Sequence, residues 1–211
     1  MKKIFAILLL LGMLLSFAAC GRGKSGAPDG YQLVSNKKVC DYDLYVPAET
    51  PNDGMKWTFE SKTSDFTTAA LTVTVEEGEG ENKTKVDKLA CTVSMAVVGT
   101  LGEGESVEIF WENYKNGYTF LTNCTAGEAV GVKLENSIGQ MKASGMRYTF
   151  TGDYNGTTYY YTQVLFARAT STVDGGVEYP VYCVTYTAVG EEFANAYLET
   201  FNGILGNISF R

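Results

Sequence analysis

Stretches in which apolar and polar residues alternate with a period of two recur along this chain, and that period predicts half-buried strands. Met55 to Ser61 sets Met, Trp and Phe against Lys, Thr and Glu, and Ala70 to Val75 sets Leu71, Val73 and Val75 against Thr. Tyr31 to Val34, Tyr42 to Val46 and Leu89 to Val98 read as three more strands, and Tyr118 to Asn123 and Ala129 to Leu134 as a further two. The strongest signal is a hairpin from Met146–Thr151 through Asp153-Tyr154-Asn155-Gly156 to Thr157–Phe166, since Asn-Gly suits a two-residue turn with positive φ. A second hairpin turns at Asp174-Gly175-Gly176 and returns through Glu178 to Thr187. Tyr160, Thr162, Val164 and Phe166 share one strand face, and Tyr182, Val184 and Tyr186 share the next, so the two faces can pair across the sheet.

Two segments change to the helical period. Val107, Phe110, Trp111 and Tyr114 fall at i, i+3, i+4 and i+7, with Ser106 placed to cap and Gly117 placed to end a helix that runs to about Asn116. Glu191 to Leu205 is the second, with Phe193, Tyr197, Phe201, Ile204 and Leu205 on one side and two glutamates at its dipole-favoured start. Ile208 to Phe210 is a short apolar tail. The expected class is α+β: an antiparallel sheet of about six to eight strands packed with two main helices.

The start of the chain follows neither period. Lys2 and Lys3 precede an almost pure apolar run, Ile4 to Leu15, and Ser16-Phe17-Ala18-Ala19 leads up to Cys20. This is the layout of a secretory signal. Ile4 to Ala19 is 16 residues, short of the roughly 18 that a helix needs to span the hydrocarbon. Phe17-Ala18-Ala19-Cys20 resembles the lipobox of bacterial lipoproteins, with Phe17 where Leu is commonest. The resemblance implies lipidation of the Cys20 thiol and cleavage before it. An ordinary signal cut near Ala19, giving a secreted protein, is the alternative. Residues 1–19 are thus expected to be a lipoprotein signal peptide and 20–30 a flexible tether, with four Gly, one Ser and one Pro between Gly21 and Gly30. Residues 31–211 are expected to form one α+β domain. A lipidated Cys20 would hold the protein at the outer face of the cell membrane, and the lack of an acidic run after it fits a Gram-positive source. Gly23-Lys24-Ser25 ends a Walker-like pattern, but it lies in the tether rather than between a strand and a helix.

Composition narrows the chemistry. The net charge is −7, and −9 once Lys2 and Lys3 are removed, which argues against a nucleic-acid partner. No histidine is present, so a Ser-His-Asp or Cys-His centre is impossible within the chain and zinc catalysis is disfavoured. No catalytic residue, metal site or cofactor is expected. The four glutamates Glu76, Glu77, Glu79 and Glu81 lie on a charged hairpin tip without the spacing of a calcium loop, and read as solvated. Cys40, Cys91, Cys124 and Cys183 allow two disulfides in any of three pairings, or four small buried apolar residues. The sequons at Asn82, Asn123, Asn155 and Asn207 carry no glycan in a bacterial lipoprotein.

Tyr42-Asp43-Leu44-Tyr45-Val46-Pro47, a short strand closing in Val-Pro, opens the domain. Tyr182-Cys183-Val184-Thr185-Tyr186-Thr187-Ala188, then a helix and Ile208-Ser209-Phe210, ends it. Together these resemble the PsbP-like group, which includes photosystem subunits and uncharacterised Gram-positive lipoproteins. The resemblance implies an antiparallel sheet between helices. The tryptophan expected soon after Val-Pro is displaced to Trp57, and no functional residue carries over. The expected role is a lipid-anchored, extracytoplasmic, non-enzymatic binding or accessory protein, with a protein or small-molecule partner. The first alternative is a small-ligand receptor that uses the aromatic sheet face, with Tyr159 to Tyr161 and Trp111 as walls. The second is a carboxylate-dependent hydrolase, for which Asp41 and Asp43 are the nearest doublet.

Overall fold

The computed structural model describes residues 27–36, 38, 40–50, 54–63, 66–78, 83–118, 120–127, 129–135 and 142–210. The leader, Cys20, Gly21–Gly26, Glu79, Glu81 and Asn82 lie outside them. Fourteen strands are described in chain order: β1 (Tyr31–Leu33), β2 (Tyr42–Asp43), β3 (Tyr45–Pro47), β4 (Met55–Thr63), β5 (Phe66–Glu77), β6 (Thr84–Thr100), β7 (Thr122–Ala126), β8 (Val130–Glu135), β9 (Lys142–Tyr154), β10 (Thr157–Ala167), β11 (Thr170–Ser171), β12 (Val177–Glu178), β13 (Pro180–Val189) and β14 (Ser209–Phe210). The helices are α1 (Val107–Tyr114), which runs on into a 3-10 turn at Lys115–Tyr118, α2 (Glu191–Ala196) and α3 (Leu198–Leu205).

Eight strands make one antiparallel sheet in the order β4-β5-β6-β13-β10-β9-β7, with β8 also paired to β9. The α+β expectation holds in that form. The β9–β10 hairpin turns at Asn155 and Gly156, whose φ values of 48° and 78° are those of a two-residue I′ turn. Tyr154 and Thr157 pair directly across it. Register puts Phe166 opposite Tyr182, Val164 opposite Val184 and Thr162 opposite Tyr186, the shared face expected from alternation.

That face carries the larger core. Leu71, Val93, Met95, Val164, Phe166, Val184 and Tyr186 pack there against Phe201, Ile204 and Leu205 of α3 and against Tyr42 of β2, Val46 of β3 and Leu44 between them. Ile208 is fully buried in it, and β14 pairs with β2, so the apolar tail closes the sheet against the start of the domain. The opposite face is covered by α1: Trp111 packs with Tyr148, Leu165, Val181 and Cys183. Because helices lie on both faces, β13 is buried at every position from Val181 to Ala188.

Three expectations need correction. Tyr42–Val46 is not one strand, for Leu44 separates β2 from β3, and there the Ser35 Oγ accepts from the Leu44 N–H at 3.1 Å and donates to the Tyr42 carbonyl at 3.0 Å. The second helix is two. Tyr197, at φ −113° and ψ 10°, separates α2 from α3. The Tyr186 hydroxyl reaches up from the sheet to the carbonyls of Phe193 (2.6 Å) and Ala194 (3.3 Å), which draws those groups toward the sheet at the break. Finally, Tyr118 ends the 3-10 turn and Phe120 and Leu121 lie outside any strand; the strand there begins only at Thr122. Among the described residues no helix is long and apolar enough to cross a membrane.

Candidate functional site

Alternation along β10 divides the tyrosines proposed as pocket walls. Tyr160 packs against the larger core. Tyr161 lies on the other face, where its ring stacks on Phe150 at 4.6 Å and 8°. Trp111 is on that same face, since α1 carries it down onto Tyr148 at 4.1 Å and 21°. Tyr118 makes an edge contact with Phe150 and tilted contacts with Trp111 and Tyr161, and Tyr159 leans on Tyr161. The structure therefore brings Trp111, Tyr159 and Tyr161 together, but as rings that pack on one another. Under them Gln163 donates to Tyr118 and, at 3.0 Å, to Thr185. Burial raises the Tyr118 and Tyr161 hydroxyls well above their ordinary value and pushes Tyr148 up to about 12. They are neutral hydrogen-bonding groups rather than bases.

The carboxylate doublet is engaged elsewhere. Asp41 accepts from the Tyr182 hydroxyl at 2.6 Å, and Asp43 accepts from Tyr45 at 3.2 Å. On the charged hairpin, Glu76 pairs with Lys83 at 3.4 Å and Glu77 pairs with Lys88. Among the described residues no three His, Cys, Asp or Glu side chains gather where they would hold a metal. Among the described residues no disulfide is formed: Cys40, Cys91 and Cys183 are buried, and Cys124 is exposed.

A different feature has the shape of a binding site. Val132, Lys133 and Leu134 of β8, Arg147 of β9, and Asn202, Leu205 and Gly206 at the end of α3 line an open cleft of about 410 Å³. That volume is at the lower end of the range for small-molecule sites. Strand register builds one wall. Val130 is opposite Arg147, Val132 opposite Gly145 and Leu134 opposite Ala143, so the valines and Leu134 share the face on which Arg147 stands. The other wall comes from α3, which buries Leu205 and turns Asn202 toward the sheet. The Asn202 Oδ1 accepts from the Arg147 Nη2 at 2.8 Å and so fixes the plane of the guanidinium.

Sequence reasoning missed this site. Arg147 lies between Met146 and Tyr148 in an alternating run, where a charge reads as a solvent-facing position. The signal available was a cation inside a predicted strand, but the wall that encloses it is 55 residues away.

No family model and no curated protein matches the chain. Among solved structures, PA94, a Pseudomonas aeruginosa protein of unknown function, superposes with a TM-score of 0.42 at 10% identity, covering 86% of this chain and 97% of that one. LpqN of Mycobacterium tuberculosis, involved in cell envelope biogenesis, superposes with a TM-score of 0.47 at 12% identity, covering 85% of this chain and 89% of that one.

Proposed function

We propose that this is a lipid-anchored extracytoplasmic binding or accessory protein without enzymatic activity, held to the outer face of the cell membrane through Cys20. The observation that carries the reading is the sequence Phe17-Ala18-Ala19-Cys20 at the end of a short charged-then-apolar leader. A diacylglyceryl cysteine supplies two chains, and two chains give stable anchoring where one does not. The Gly-rich residues after Cys20 give a tether of flexible composition. The absence of histidine and the engagement of Asp41 and Asp43 by separate tyrosines support a non-enzymatic role. The acidic balance supports partners other than nucleic acid. The opening and closing motifs that resemble the PsbP-like group support placing it with the Gram-positive lipoproteins of that kind.

The test is fractionation of cells that express the wild-type chain or Cys20→Ala, with lipid incorporation followed by a labelled fatty acid. The wild type is expected in the membrane with label, and the variant without label and released from it. Equal partition of the two, with no label on either, would overturn the anchor. The small-ligand receptor is retained as the second reading because of the cleft at Arg147, in place of the aromatic walls first assigned to it.

A further inference from the structure

Arg147 is a half-buried cation without a counter-ion among the described residues. Among the described residues its side chain makes one hydrogen bond, to the neutral amide of Asn202, and its Nε is buried with no partner. No carboxylate of the described residues pairs with it, although the chain has more acidic than basic residues. Burying a charge is costly unless it is paired and its donors are satisfied. The C-terminal end of α3 is close by at Leu205 and Gly206, but a helix end offers only about half a charge. Guanidinium is the side chain that best matches the two oxygens of a carboxylate or phosphate. The lining also holds a second cation, Lys133, and beside these charges Val132, Leu134 and Leu205 present hydrocarbon.

We propose that the cleft binds an amphiphilic anion, whose carboxylate or phosphate head pairs with Arg147 and whose hydrocarbon part lies on Val132, Leu134 and Leu205. Asn202 is the positioning residue, since it holds the guanidinium plane. The inference deepens the binding role proposed above. It does not depend on the anchor, because it concerns residues of the folded domain alone.

The experiment is protection of individual arginines from phenylglyoxal, read by peptide mass spectrometry on the full chain in phosphatidylcholine nanodiscs. The probes are octyl phosphate, octanoate, octanol and inorganic phosphate. Arg168, whose guanidinium sits 4.7 Å over the Phe210 ring, is the internal reference. Octyl phosphate or octanoate at ten times its dissociation constant is expected to slow modification of Arg147 about tenfold, because the free fraction falls in that proportion. Arg168 should keep its rate. Octanol should not protect, and inorganic phosphate should protect only at much higher concentration. Val132→Ser, a change at a partly exposed strand position, should narrow the gap between octyl phosphate and phosphate. A second arm replaces the free probes with phosphatidylglycerol in the nanodisc. Protection there identifies a lipid headgroup as the source, and protection only by soluble probes identifies a free amphiphile. The proposal is overturned if neither arm protects Arg147 over Arg168, or if octanol protects as well as the anions. It is also overturned if Arg147 does not react even without ligand, since a closed guanidinium takes none. None of these outcomes bears on Cys20, so the anchor stands or falls separately.

Discussion

Cys91 lies in the core under α2 and α3, and Cys183 in the core under α1. Desolvation pushes both thiols up to about 12, and the Thr185 hydroxyl beside Cys183 offsets only part of that. A thiol raised in the folded state above its ordinary value of 9 contributes stability that is fully present below pH 9. That contribution is lost as pH rises from there toward 12, because the unfolded chain ionises first. At pH 10 each such thiol should already cost about 1 kcal/mol relative to pH 8. Urea unfolding at the two pH values, on wild type and Cys91→Ala, measures this. The variant is expected to be weaker at pH 8, through the lost packing, but to lose about 1 kcal/mol less than wild type between pH 8 and pH 10. Identical losses would mean that Cys91 is not held as a neutral thiol. Alternation placed these residues in strands from sequence, but their bonding state was open. Strand position says nothing of how far apart two sulfurs lie, and that distance is decided by the order of strands in the sheet.

At the level of elements, α1 was legible because all its determinants are local. Ser106 takes an extended conformation, at φ −102° and ψ 164°, and its side chain accepts from the Ile109 N–H at 3.3 Å. The stripe from Val107 to Tyr114 then sets Trp111 on Tyr148. Ser106→Ala should cost about 1 kcal/mol, and Ser106→Asp should recover most of it because an aspartate caps as well. For a domain of this size the loss is a fall of roughly 2 to 4 °C in Tm, readable by calorimetry. If aspartate were as weak as alanine, the cap would not be what Ser106 supplies. The hairpin at Asn155-Gly156 was legible for the same reason, since its positive φ values are a property of two adjacent residues. The break at Tyr197 was not. It coincides with the hydroxyl of Tyr186, which stands on a strand and meets the helix only after folding. The cleft was hidden in a related way. Alternation distinguishes two faces of a strand and assigns one to water, but here both faces are covered, so Arg147 faces α3 where solvent was expected.

Among the described residues two cores lie on the two faces of the eight-stranded sheet, and β13 contributes to both. Tyr182, Val184 and Tyr186 face one core, Val181 and Cys183 the other. The larger core is closed by the ends of the described chain: β14 pairs with β2, Ile208 is fully buried, and the Phe210 ring stands edge-on to Tyr182 at 4.9 Å. If the sheet transmits loss of packing from one face to the other, a change in the tail must destabilise the core under α1 by the same amount. The chain contains two tryptophans, one for each core: Trp57 on the tail's side and Trp111 under α1. Ile208→Ala removes three methyl or methylene groups from a fully buried site and should cost about 2 to 5 kcal/mol. Introduced into Trp57→Phe and Trp111→Phe backgrounds, it lets one remaining tryptophan report each core. In urea both reporters are expected to show the same loss, and each fluorescence transition should overlay the circular dichroism of its own variant. If the Trp111 signal kept its midpoint while the Trp57 signal moved, the two faces would unfold as separate units. The shared strand β13 would then be a seam between them rather than a common core element.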